Sequence, residues 1–338
     1  MKAIWEEAMS MFSRTPVRAM MALFALSGFA TAAPAQTYPD KPITIVVHLA
    51  AGGGLDATTR VIAEAMGKEL GQPLVVENRT GGGGAIATQH VARAAADGYT
   101  LQMANASTHA AGPAVNPNMG YDPVKDFVCV SFVGDSTNVA VVPANLDVKT
   151  LADFIALAKS KPGELNYTSG STGSGSSQHL QGELFKKVTG IDLVHIPYEG
   201  AAPGLQAVIS GEVQFFLAGT ASAITHIQSG SLKALGISGL ERSPLLPDVP
   251  TFAELGVAGF EVGPWYALIA PKGVSPDIVD KLNAAVVKAL GQDEVKKRLA
   301  GLGVNIAGTS AQECTRIIEK EVEQWSTLAK ELGFQASK

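Results

Sequence analysis

Hydrophobic and polar positions along this chain alternate between two periods, and the switching predicts an α/β protein. Residues 43–49 form an apolar-rich run of strand length, and Thr58, Ile62, Met66 and Leu70 then step by four, laying one stripe along a helix. Residues 74–77 read as a second strand, closed by Asn78-Arg79-Thr80 and the glycine run 81–84. A helix through 85–96 follows, Asp97-Gly98 turns, and 99–104 is a third strand. Residues 127–133 and 139–143 predict further strands, and 151–160 a helix stopped by Pro162-Gly163. A second cycle opens with a strand over 165–168, a Gly/Ser loop over 170–177 and a helix over 178–189. Segments 193–197, 204–210, 213–217 and 234–238 continue the alternation. Ser275-Pro276 opens a helix with Ile278, Leu282, Val286 and Leu290 on one face. The last helix begins at the capping box Ser310-x-x-Glu313 and buries Ile318, Val322, Trp325 and Leu328.

Strands alternating with helices mark βαβ units. With 338 residues the chain is long enough for two cores, since single cores stop growing at roughly 250–300 residues. No low-complexity linker divides it. Two domains joined by crossing strands are therefore expected, with 139–143 and 265–270 as the candidate crossings.

Composition narrows the setting. Arg14 and Arg18, the apolar stretch 19–30 and Ala33-Pro34-Ala35 form a secretory signal cut before Gln36. The apolar stretch is shorter than the about 20 residues that a membrane span needs. Glu6 and Glu7 fit a basic leader poorly, so translation from Met11 is a second possibility. Without residues 1–35, which hold Lys2, Arg14, Arg18, Glu6 and Glu7, 23 basic and 29 acidic residues remain. No basic run exists, which argues against nucleic acid as a partner. Cys129 and Cys314 stand 185 positions apart; export permits a bond between them, but two free, buried thiols are the expectation. The six histidines show no metal-ligand spacing, and no cofactor is expected.

The candidate chemistry centres on Gly52-Gly53-Gly54-x-Asp56, between the first strand and its helix. Bare amides at a helix start seat an anion, and glycines let a carboxylate approach the backbone. Two other readings compete. Gly52-x-Gly54-x-x-Ala57, with Glu77 ending the next strand, satisfies a dinucleotide fingerprint, although an exported chain meets little nicotinamide cofactor and Asp56 repels a pyrophosphate. A ligand-free tight turn, with Asp56 as a cap, is the third. A second Gly/Ser loop, Ser171-Thr172-Gly173-Ser174-Gly175-Ser176, also lies between a strand and a helix, which favours a two-loop binding site. No G-x-S-x-G elbow, H-E-x-x-H or Walker pattern occurs, so an enzyme is not expected.

An ordered series of motifs then carries a family resemblance. It includes Tyr38-Pro39-Asp40-Lys41-Pro42-Ile43, Gly52-Gly53-Gly54-x-Asp56, Val75-Val76-Glu77-Asn78-Arg79 and Asp97-Gly98-Tyr99-Thr100-Leu101. It continues through Tyr121-Asp122-Pro123, His179-Leu180-x-Gly182-Glu183, His195-Ile196-Pro197-Tyr198, Leu246-Pro247-Asp248-Val249-Pro250-Thr251 and Trp265. The chain resembles the Bug-type solute receptors, the periplasmic binding proteins of tripartite tricarboxylate transporters. The resemblance implies a two-domain periplasmic-binding-protein fold (Venus flytrap, type II-like) with two mixed sheets, residues 37–138 and 262–338 forming domain I and 139–261 domain II. It also implies a monomer in the periplasm that captures a small organic acid (a di- or tricarboxylate, amino acid or aromatic acid). That acid would be delivered to membrane transporter subunits, or sensed for a membrane signalling partner.

The ligand set implied by the resemblance comes from two loops and two flanking stretches. The first loop supplies Leu49, Gly52, Gly53, Gly54 and Asp56, the last as loop cap or as acceptor from a ligand or water. The second supplies Ser171, Gly173, Ser174, Gly175, Ser176 and His179, the histidine either touching ligand or fixing the loop. Ser107, Thr108, Ala218 and Gly219 line the site. His195 and Tyr198 brace the second domain, and Trp265 stacks on a flat ligand or packs in the core. The sequence departs from the family's usual pattern at His48 and Ala51, where proline is common, at Thr80 and Gly82, and at Glu199 in place of lysine. These departures bear on the ligand's size and polarity.

Overall fold

A computed structural model describes residues 38–334 apart from 117, 171–175, 199, 240, 259, 261 and 262. The signal-sequence expectation over 1–35 lies outside the described residues. The chain runs β1 (Ile43–Val47), α1 (Gly54–Leu70), β2 (Leu74–Asn78), a 3₁₀ turn (Gly82–Gly84), α2 (Ala85–Ala92), β3 (Thr100–Ala104), α3 (Ala106–His109), α4 (Ala111–Val115) and β4 (Phe127–Ser136). It continues with β5 (Asn138–Pro143), α5 (Leu151–Ser160), β6 (Asn166–Ser169), α6 (Ser177–Thr189), β7 (Val194–Pro197), α7 (Ala201–Ile209), β8 (Phe215–Gly219), α8 (Thr220–Gln228) and β9 (Leu232–Ile237). It closes with β10 (Trp265–Pro271), α9 (Pro276–Gly291), α10 (Asp293–Gly301), β11 (Val304–Ile306) and α11 (Ala311–Glu331).

Two mixed sheets result. The first has the order β11-β4-β10-β3-β1-β2, with β1 parallel to β2 and β3 and with β10 antiparallel to β3 and β4. The second has the order β7-β6-β8-β5-β9, with β6 parallel to β7 and β8 and with β5 antiparallel to β8 and β9. Each sheet thus contains one βαβαβ unit whose first strand lies between the second and third. The strand order reverses between β1 and β3 in the first sheet and between β6 and β8 in the second. Open α/β sheets bind ligands outside the carboxyl ends of strands at such reversals.

The chain passes from the first sheet to the second at Thr137, where β4 ends and β5 begins. The expected crossing segments 139–143 and 265–270 therefore lie beside the crossings, each within one sheet. The junction is tightly bonded: Ser136 donates its N–H to Pro264 O (2.8 Å), Ser238 donates to Asn138 O (2.8 Å), and Asn138 N–H donates to Ser238 Oγ (2.9 Å). A Cβ on Gly263 would stand 2.5 Å from Ser136 O, so only glycine lets the returning chain run this close.

The apolar stripes that predict the helices are the faces they bury. Phe154, Phe185, Phe215, Phe252 and Phe260 build one core of the second sheet. In the first, the stripe of α11 covers β4 and β10, with Ile318 and Trp325 against Phe132 and Trp265. The Trp265 and Trp325 indole N–H groups both donate to Glu321 Oε2 (2.8 and 2.9 Å). Trp265 accordingly packs in the core rather than presenting its ring to solvent.

This packing corrects the expectation of two free thiols. Laying α11 across β4 brings the Cys129 and Cys314 Cα atoms to 5.9 Å, and the two cysteines form a disulfide. Other departures are local. The helix expected over 85–96 ends at Ala92, where the buried face runs out, and β1 ends at Val47 rather than at 49.

Candidate functional site

The first candidate loop lies at the carboxyl end of β1, in the reversal between β1 and β3. Gly52 has φ +87°, a left-handed conformation that glycine adopts without strain. Gly53 is the N-cap of α1 and supplies no side-chain cap, so the helix start is dressed by backbone alone. A Cβ on Gly53 or Gly54 meets only ordinary contacts (3.8 Å to Ala50 O, 3.6 Å to the Tyr266 hydroxyl). The protein's own packing therefore does not require glycine at those two positions.

Asp56 organises the loop. Its carboxylate is 3% exposed and accepts the Gly52 N–H (2.9 Å), Arg60 Nε–H (2.9 Å) and Asn78 Nδ2–H (3.0 Å). Asn78 also donates to Leu49 O (2.9 Å), which ties both ends of the loop to β2. Burial pushes the Asp56 carboxyl up, but the bonds from Arg60, Gly52 and Asn78 outweigh burial and hold it below the usual range. Arg60 is thereby neutralised within the loop. Glu77 pairs with Arg79.

Ser107 and Thr108 follow β3 at the same reversal. Both are buried, and Asn105 Oδ1 accepts the N–H groups of both (3.0 and 3.4 Å), closing a capping box. Those amides are consumed locally. The Ser107 hydroxyl instead meets Ser177 Oγ of the second sheet's α6 at 2.9 Å and accepts Ser177 N–H at 3.3 Å.

The second candidate loop lies at the carboxyl end of β6. Ser171, Gly173, Ser174 and Gly175 lie outside the described residues. Ser176 is the N-cap of α6, its hydroxyl accepting the His179 N–H (3.2 Å). The His179 ring stacks on His195 (4.0 Å between centroids) and meets Phe334 edge-on (5.3 Å). His195 in turn bonds Ser169 Oγ (2.8 Å), and burial, then His179 and Lys186, press its pKa to about 4. Tyr198 donates its hydroxyl to Glu212 (2.8 Å), away from this cluster. Ala218 is buried in β8, and Gly219 caps α8 without a side chain.

The junction completes the site with residues that the sequence did not single out. Tyr266 OH lies beside Gly54 and bonds Ser136 Oγ (3.2 Å). Thr137 O accepts both the Thr220 N–H (3.0 Å) and the Thr220 hydroxyl (2.9 Å) at the start of α8. Asn138 Nδ2 donates to Gln181 Oε1 of α6. A continuous chain of contacts thus runs from the first glycine loop through Tyr266 and the crossing to the start of α8. Beside it, Ser107 touches the start of α6. Four helix starts from two sheets gather here, and those of α1 and α8 have no side-chain cap. Converging amide ends of this kind suit a small anion. The polar break Ser136-Thr137-Asn138 between two apolar runs is the one sequence signal that marks the junction.

Comparison with known proteins returns one consistent picture. The family described as tripartite tricarboxylate transporter family receptor matches residues 58–334. The protein BugT of Bordetella pertussis is 37% identical over 321 residues, covering 94% of this chain and 98% of its own. Among solved structures, Rpa4515 of R. palustris with adipate has a TM-score of 0.83 at 35% identity, covering 88% of this chain and 98% of that one. MatC (Rpa3494) from Rhodopseudomonas palustris with bound malate has a TM-score of 0.80 at 34% identity, covering 86% and 99%.

Proposed function

The chain belongs to the tripartite tricarboxylate transporter family of receptors, and from that premise we propose that it clasps a small organic carboxylate between its two sheets. In this reading the closed form is presented to the membrane subunits of a transporter. The observation that carries it is the meeting of two strand-order reversals, one per sheet, with the uncapped starts of α1 and α8 on either side of one junction. The adipate and malate bound by the two similar structures give the ligand class.

The assigned contacts are the amides of Gly53 and Gly54 on one side, with Gly52 shaping the turn while its own N–H is held by Asp56. On the other are those that follow Thr220 at the start of α8, with Ser176 and the loop before it, the Thr220 N–H itself being held by Thr137 O. Each helix start stabilises an anion by about 0.3–2 kcal/mol. Several such contacts with hydroxyl donors can approach the about 8 kcal/mol of micromolar affinity. Asp56 serves the loop and Ser107 the closure, and His179 fixes the base of the second loop. Residues 37–138 and 262–338 act as one domain and 139–261 as the other, hinged at Thr137. The acid favours closure because it bridges both sides only when they meet, and it shifts the equilibrium by that difference in affinity. The working form is a periplasmic monomer released from a signal over 1–35.

The dinucleotide reading is disfavoured by one contact. The Gly52 N–H that would face a pyrophosphate is occupied by the Asp56 carboxylate. Titration calorimetry with succinate, malate, adipate, citrate, glutamate and benzoate, and with NADH as control, tests the assignment. At least one acid should bind in the micromolar range with no response to NADH. Silence from every acid would remove the carboxylate assignment.

A further inference from the structure

Beneath the first glycine loop lies a group of buried polar atoms that the contacts assigned above leave unused. His48 stands between β1 and Leu49; it is 1% exposed, and neither ring nitrogen has a hydrogen-bond partner among the described residues. Gln102 on β3 is fully buried, donates its amide to Thr88 Oγ1 (2.9 Å) and leaves Oε1 unpartnered. His109 is fully buried, with Nδ1 3.0 Å from Thr108 Oγ1 and Nε2 unpartnered.

These groups converge on one backbone position. The Gly84 carbonyl accepts the Thr88 hydroxyl (3.0 Å), and Gly84 has φ +94°. A Cβ there would stand 2.7 Å from Thr108 Cγ2 and 3.0 Å from His48 Cδ2, so the glycine run 81–84 is folded down onto both side chains. Strand register agrees. Val46 pairs with Gln102, and His48 follows Val46 by two positions, just past the end of β1. The exposed residues Ala50, Ala51 and Gly52 begin two positions further along.

The donor and acceptor count of this group is lopsided. With the Thr108 hydroxyl proton on Asn105 O (3.1 Å), His109 Nδ1–H donates to Thr108 and Nε2 is an acceptor. Burial presses the pKa of His48 to about 4, and burial with the nearby His48 presses that of His109 to about 3. Both rings are therefore neutral at pH 7. His48 then offers one donor and one acceptor, and Gln102 Oε1 another acceptor. A carboxylate entering here brings only acceptors. A hydroxyl or carboxamide brings the protons that this group lacks.

We propose that His48, Gln102 and His109 form a subsite under the first glycine loop that takes a neutral hydrogen-bond-donating group of the bound acid and turns away a second carboxylate. The proposal rests on the carboxylate-receptor reading above and gives it a substrate class, the hydroxy- or amide-bearing acid.

Matched acids test it. The purified protein is titrated with succinate, malate and succinamate, and with the corresponding unsubstituted, hydroxyl and monoamide acids of five and six carbons. The wild type should prefer a substituted member by about tenfold, and His48→Leu should collapse that ratio to within about twofold of unity. In parallel, the side-chain ¹⁵N resonances of His48 and His109 in the wild type should move with the preferred acid and not with its unsubstituted partner. This readout does not depend on a variant folding. Equal affinities across each set with unmoved ring nitrogens would overturn the proposal, leaving ordered water only in the subsite and the receptor reading intact. Binding of no acid at all would overturn both.

Discussion

Replacing Asp56 by alanine removes three hydrogen bonds at once, and their geometry sets the size of the effect. The carboxylate holds the Gly52 N–H at 2.9 Å and the Asn78 amide at 3.0 Å, both part-buried, and Arg60 Nε at 2.9 Å. Bonds to a charged group contribute roughly 1.5–3 kcal/mol each. The Arg60 bond is discounted because the guanidinium is 49% exposed and water replaces the partner. The remaining two predict a loss of about 3–6 kcal/mol for Asp56→Ala. Asp56→Asn keeps an acceptor for Gly52 and should cost only about 1–2 kcal/mol. Urea unfolding followed by circular dichroism reads both, with an unchanged slope showing that stability and not compactness has changed.

The sign with pH follows from the direction of the shift. The folded carboxyl sits below its ordinary value of 3.8, so its contribution is complete above that value and drains away as pH falls through the lower folded one. Wild-type stability should therefore drop more steeply below pH 4 than that of Asp56→Asn. The affinity arm is the more discriminating. If the carboxylate serves the loop alone, Asp56→Asn retains acid binding to within a few-fold. Full stability with binding abolished in Asp56→Asn would show instead that the carboxylate touches the ligand itself.

Three further outcomes follow from the same contacts. Glu321→Ala strands the buried indole N–H groups of Trp265 and Trp325 and should cost about 2–4 kcal/mol in chemical denaturation. Paired replacement of Cys129 and Cys314 by alanine opens a loop of 185 residues and should cost about 2–5 kcal/mol, read from melting curves of the variant and of the reduced wild type. Ser107→Ala removes the hydroxyl that joins α6, about 1 kcal/mol, and small-angle scattering of the acid-free protein should show a larger radius of gyration than the wild type.

Much of the scaffold is legible from periodicity because long elements with one buried face announce themselves. The stripe through Ile62 and Met66 and the stripe through Ile318 and Trp325 are fully or nearly buried in the fold. The short helices after β3 are not legible, because residues 106–115 are alanine-, glycine- and proline-rich and their start depends on the Asn105 capping box. The disulfide is hidden for a related reason: no spacing rule reaches across 185 residues, and only the docking of α11 on β4 brings the sulfurs together. In the site, Gly52 declares itself by the left-handed turn that glycine makes easily. Tyr266, Ser136, Thr137 and Ser177 do not, since hydroxyls are common and theirs acquire meaning only where two sheets meet. The position of Ser107 at a strand end is readable in the sequence, whereas its contact with Ser177 is a tertiary fact.

The two-sided clasp is tested most directly by the position of the bound anion. A crystal structure of the protein with its tightest-binding acid should place one carboxylate against the backbone amides at the start of α1, with the same molecule reaching donors at the start of α6 or α8. An acid bound on one sheet alone, or away from the Thr137 junction, would contradict it.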